Sequence, residues 1–100
     1  MSLFIVRHVH PADRCPAKDE QAAAMLLKHL SPGTARTFGL TIRGEAVVNN
    51  AHTLYLIVDG PDRDSVQRFM EPFGQAGSVE ILPASTCEDV AARGGCDAAG

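Results

Sequence analysis

From Leu3 to Pro83 the hydrophobic periodicity of this chain switches repeatedly between the two-residue repeat of a strand and the 3.6-residue repeat of a helix. A chain patterned in this way must pack helices against a sheet around one shared core. Leu3 to Val9 reads as a strand with Phe4, Val6, His8 and His10 on one side and Leu3, Ile5, Arg7 and Val9 on the other. Ala17 to Leu30 reads as a helix, opened by Pro16 with Asp19 and Glu20 in its first turn. Ala22, Met25, Leu26, His29 and Leu30 form its apolar stripe, and Ser31-Pro32-Gly33 is expected to stop it.

Arg36 to Val48 alternates as a second strand, with Phe38, Leu40 and Ile42 on the greasier side and Thr37, Gly39, Thr41 and Arg43 opposite. Asn49-Asn50 predicts a tight turn, because Asn tolerates positive φ. His52 to Asp59 then returns as a third strand, in which His52, Leu54, Leu56 and Val58 share a face opposite Thr53, Tyr55 and Ile57. After Gly60-Pro61, Asp62 or Asp64 caps a second helix whose stripe is Val66, Phe69, Met70 and Phe73, and Pro72 is expected to kink or end it. Gly77 to Leu82 is the last strand. Ser85 and Glu88 form a capping box for a short helix ending near Gly94, with Gly95 to Gly100 as a loose end.

One hundred residues with 45% apolar content make one domain, a core over about 3–83 followed by a tail over 84–100. A net charge of −3, one Tyr, no Trp and four Phe supply neither the basic stripe nor the stacking surface of a nucleic-acid binder. The apolar run Leu3 to Val6 is too short for a signal peptide or a membrane span, so a cytoplasmic location without membrane attachment is expected. There Cys15, Cys87 and Cys96 are expected to be reduced thiols, since an odd number does not close a disulfide framework.

Chemistry concentrates in Arg7-His8-Val9-His10-Pro11-Ala12-Asp13-Arg14-Cys15-Pro16, where two imidazoles and a thiol lie in one short run. Imidazole and thiolate suit Zn, Cu or Ni, whereas Mg and Ca prefer carboxylates. Alternate strand residues point the same way, so His8 and His10 can chelate together, with Cys15 at the following helix start. The same groups also serve a small enzyme, with His8 or His10 as a base or Cys15 as a nucleophile. His29, near the end of the first helix, reads as structural. Each histidine taken singly has a plainer role as a half-buried polar residue bonded to backbone.

The order strand, helix, strand, strand, helix, strand resembles the ferredoxin-like fold, βαββαβ, and more narrowly the dimeric α+β barrel superfamily. The resemblance covers about residues 3 to 83. It implies an α+β domain, a four-stranded antiparallel sheet with two helices on one face and the short C-terminal helix beyond, paired with a second copy as a homodimer. It also implies a central first strand with the third antiparallel beside it, which would bring His8, His10 and Cys15 to one corner with His52. Cys87 and Cys96 would lie outside that corner unless the tail or a partner subunit brings them in. Small monooxygenases, lactone isomerases and haem-degrading enzymes belong to that superfamily, which keeps an enzymatic role open.

Three functions follow as expectations. The first is metal binding at His8, His10, Cys15 and His52. The second is a small enzyme using His8 or His10 as a base or Cys15 as a nucleophile. The third is a small-anion binding module on the open sheet face, where Arg7 and Arg43 with Thr41 and Tyr55 would hold a carboxylate or phosphate. Cys87 and Cys96 could alternatively pair across the last helix.

Overall fold

The computed structural model describes residues 2–97. Its four strands are β1 (Ser2–Val9), β2 (Thr41–Val48), β3 (Thr53–Gly60) and β4 (Ser78–Ala84). They form one antiparallel sheet in the order β2-β3-β1-β4, so β1 is central with β3 beside it, as expected. Period-two patterning determines which side of β1 is covered: Phe4, Val6, His8 and His10 are buried, while Leu3, Ile5, Arg7 and Val9 are half-buried on the opposite face. Across the ladder Val6 pairs with Leu56 and Ile81, which extends the buried face onto both neighbouring strands.

Helix α1 (Glu20–His29) and helix α2 (Pro32–Thr37) both lie between β1 and β2; α3 (Arg63–Gly74) joins β3 to β4, and α4 (Cys87–Arg93) follows β4. The expectation of two helices and one short C-terminal helix is therefore corrected to four among the described residues. The added one is α2: Ser31 does not merely stop α1 but caps the next helix, its Oγ accepting from Thr34 N–H (3.4 Å) with Pro32 in the first turn. That start signal outweighs the alternation seen from Arg36 onward, and β2 begins only at Thr41, after Gly39 at φ +75°. Helix α1 likewise begins at Glu20, because the Asp19 carboxylate caps Gln21 N–H (3.1 Å) and leaves Pro16–Lys18 as a separate 3-10 turn.

Other boundaries move for local reasons. Asn49-Asn50 is not a two-residue turn: the closing pair is Val48 with Thr53, and only Asn50 and His52 take positive φ. Helix α3 passes through Pro72 and ends two residues later at Gly74, because Pro72 stands in its final turn. At α4 the cap is Thr86 rather than Ser85, its Oγ1 accepting from Asp89 N–H (3.1 Å), while Ser85 Oγ accepts from Arg93 (2.9 Å). β4 runs on to Ala84 through Pro83, which an edge strand tolerates.

The core lies between the sheet and α3. Val66, Phe69, Met70 and Phe73 are all buried there, and each such side chain contributes roughly 1.5–3 kcal/mol. Helix α1 buries none of its residues, so α3 and not α1 holds the fold together. α1 leans on α3 through His29, whose Nε2 meets the Phe69 carbonyl at 2.7 Å while its ring stacks on Phe69. The structural reading of His29 holds, with a packed partner in place of the helix dipole.

Candidate metal centre

Three elements meet at the C-terminal end of β1. His10 follows the strand, and its backbone N–H donates to the His52 carbonyl at 3.2 Å, extending the β1–β3 ladder by one step. His52 lies in the four-residue loop before β3 at φ +47°, a left-handed conformation that non-glycine residues adopt mainly where the surroundings hold them there. Cys15 sits between two 3-10 turns, Ala12–Arg14 and Pro16–Lys18. That loop is held by Arg14 N–H donating to the Pro11 carbonyl (2.9 Å) and by Lys18 Nζ donating to the Ala12 carbonyl (2.9 Å).

The result is a group able to hold a metal ion: one donor atom each from His10, Cys15 and His52, all within 4.8 Å of one another. Ordinary Zn–N and Zn–S bonds place tetrahedral donors roughly 3.3–3.6 Å apart, so side-chain rotation of about 1 Å closes the set. His10 is the decisive member. It is 9% exposed, and neither ring nitrogen makes a hydrogen bond among the described residues. Buried polar groups are almost always paired, and an unpaired one costs about 1–3 kcal/mol, so an imidazole in this position calls for a further partner.

His8 stands next to the trio and outside it. At 2% exposure it turns Nδ1 to the Ser78 carbonyl (3.0 Å), and its ring centroid lies 5.4 Å from that of His10. The His10 ring in turn stands edge-on to His52 at 5.2 Å. Burial lowers the His10 pKa below its ordinary value, and the neighbouring His8 and His52 lower it further. Burial lowers the His8 pKa as well, against the opposing effect of the Ser78 carbonyl. Both rings are therefore neutral at pH 7, the form in which imidazole binds metals.

The sign of the resulting pH dependence follows from these directions. Below the ordinary histidine pKa of about 6.5 the unfolded chain takes up protons that folded His8 and His10 refuse. Stability of the metal-free protein is thus complete above about pH 6.5 and falls as the pH drops through the folded-state values. Denaturant unfolding of the metal-free protein between pH 5 and 8 is expected to show a midpoint that is flat above neutrality and declines in acid. His8→Phe and His10→Leu should each flatten that decline.

A glycine that sequence reasoning passed over shapes this corner. A Cβ on Gly77 would overlap the Val9 carbonyl oxygen and come within 2.8 Å of His10 Cα, so only glycine lets the α3–β4 connection pass against the end of β1. A lone Gly before a strand carries no such message in sequence.

The residues expected on the open face are placed apart. Arg7 donates to Tyr55 Oη (3.2 Å) and pairs with Glu80 (2.9 Å), while Arg43 pairs with Asp59 (3.2 Å). The two pairs lie near opposite ends of β3, and Thr41 is opposite Asp59 in the ladder. Cys87 and Cys96 are exposed, and Cys87 follows Ala84, whose partner Leu3 is at the far end of β1 from His10.

Fold and site together define a small α+β protein carrying a histidine–cysteine group at the corner between sheet and helix layer. No protein-family model matches this chain, and no curated protein matches its sequence. Among the described residues no helix is long and apolar enough to cross a membrane.

Proposed function

We propose that this chain is a metal-binding protein of ferredoxin-like architecture, with His10, Cys15 and His52 as ligands to a zinc or copper ion. The observation that carries the reading is the buried His10 imidazole, without a hydrogen-bond partner among the described residues and within reach of the Cys15 thiol and the His52 imidazole from across the fold. Two nitrogens and one sulfur favour Zn, Cu or Ni over hard ions. Three protein ligands leave a fourth position for water or another molecule, the arrangement of a reactive site rather than a closed structural one. The order β2-β3-β1-β4 supports the ferredoxin-like assignment, since it places the first strand centrally with the third and fourth on either side.

The test is metal uptake by protein purified without a polyhistidine tag. Wild type is expected to take up one equivalent of Zn²⁺ or Co²⁺, the cobalt form showing thiolate-to-metal absorption. Cys15→Ser should abolish that absorption. His52→Asn, chosen because Asn accepts the left-handed backbone, should weaken uptake by about tenfold or more while leaving the fold intact. Uptake by both variants equal to that of wild type would overturn the assignment.

A further inference from the structure

Helix α1 packs Leu26 partly against the core without fully burying a side chain, and beside it is a cavity of ≈ 360 Å³ that reaches the metal-binding group. Leu26 of α1, Leu30 just beyond it, Val47 of β2, Leu54 of β3 and Phe73 of α3 form its apolar wall. His10, Cys15 and His52 line the same space. Small-molecule sites have this character: roughly 300–1,000 Å³, mostly apolar, with a few polar groups converging on one part.

His8 supplies one more such group. Because its Nδ1 faces a carbonyl, that nitrogen carries the proton, and Nε2 retains a lone pair on the wall of the cavity. The charge pattern narrows the ligand further. Glu45 is the one acidic residue in the lining, and among the described residues no Lys or Arg lines it, so beyond the metal itself a carboxylate or phosphate would meet only the repulsion of Glu45.

Resting on the metal reading above, we propose that this cavity binds a small, largely apolar molecule that completes the metal's fourth position through a neutral nitrogen or sulfur donor. The His₂Cys set selects a borderline metal, which prefers such donors to hard oxygen. The apolar wall then selects for the hydrophobic body of the ligand, and His8 Nε2 can accept a hydrogen bond from it.

The experiment titrates the Co²⁺-loaded protein with 4-phenylimidazole and with imidazole, following the visible cobalt bands. 4-Phenylimidazole is expected to bind at least about tenfold more tightly, because its ring buries apolar area worth about 25 cal/mol per Å². Val47→Trp places bulk at a position 58% exposed in the cavity lining and outside the donor set. It should remove that preference and leave Co²⁺ uptake unchanged. Leu27→Trp, at a second position of the lining that is 70% exposed, gives the same readout should the first variant lose its circular-dichroism spectrum.

Equal affinity for the two azoles, or a preference that survives in the folded Trp variant, overturns the cavity proposal alone. Failure of wild type to develop cobalt–thiolate absorption overturns the metal reading itself, and the cavity proposal with it.

Discussion

The metal-free His10→Leu variant is expected to unfold at a higher temperature than the metal-free wild type, and zinc is expected to raise the midpoint of the wild type alone. The first half follows from the two His10 ring nitrogens, which have no hydrogen-bond partner among the described residues. Replacing a buried, unpaired polar group by an apolar one of similar size removes a penalty of about 1–3 kcal/mol, reduced by whatever the new shape costs in packing. The second half follows from mass action. A ligand at a hundred times its dissociation constant stabilises the folded state by about 2.7 kcal/mol, and in a domain of this size each kcal/mol moves the midpoint by roughly 4–8 °C.

Calorimetry with and without Zn²⁺ therefore separates the two proteins in opposite directions. A histidine that only fills space in the core would give a destabilised variant with or without the ion. A zinc-induced rise that persists in His10→Leu would remove His10 from the ligand set.

Gly77→Ala is expected to be the most damaging single-methyl change near the site. The added Cβ meets backbone, not the flexible end of a side chain, so the strand end must move to accommodate it. Overpacking of this kind costs roughly 1–3 kcal/mol and reaches the upper end of that range where backbone is displaced. The displaced segment carries His10, so metal affinity should fall together with stability, although Gly77 itself contributes no donor. Chemical denaturation and a Co²⁺ titration on the same preparation check both effects. Gly33→Ala, in helix α2 where a Cβ meets nothing within 4 Å, is the matched control: it should leave metal affinity unchanged and should not lower stability.

Much of the site could be read from residue order alone. That His10 and Cys15 belong to one corner followed from their short separation, and His52 entered as a candidate through the expected antiparallel return of the third strand. The route for His52 was nevertheless different: parity placed it on a strand face, whereas it reaches the cluster from a loop in a left-handed conformation. Sequence parity also grouped His8 with His10. Both are buried on the same side of β1, but the Ser78 carbonyl holds His8 through Nδ1, and no pattern within β1 could reveal a bond to a residue on β4.

The helix layer divides along the same line. The stripe Val66, Phe69, Met70 and Phe73 marked α3 correctly because its burial repeats every turn. The stripe assigned to the first helix was equally regular, yet Met25 is 72% exposed and no residue of α1 is buried. Periodicity states which face of a helix is apolar; it does not state how closely that face approaches the sheet.

Local order thus settles the identity of most elements and the side of each strand that turns inward, because propensity, capping and period-two or 3.6 patterning act over a few residues. It misses α2 because capping and alternation conflict there, and only the packed chain resolves the conflict, burying Ala35 and Leu40 against the core. Tertiary structure alone decides which imidazole is orphaned, which is tied to a carbonyl, how near a glycine must pass to a strand end, and that a cavity lies beside the donors. Those are contacts between residues far apart in sequence, set by the ladder register and by the distance between layers, and neither quantity is encoded at any single position.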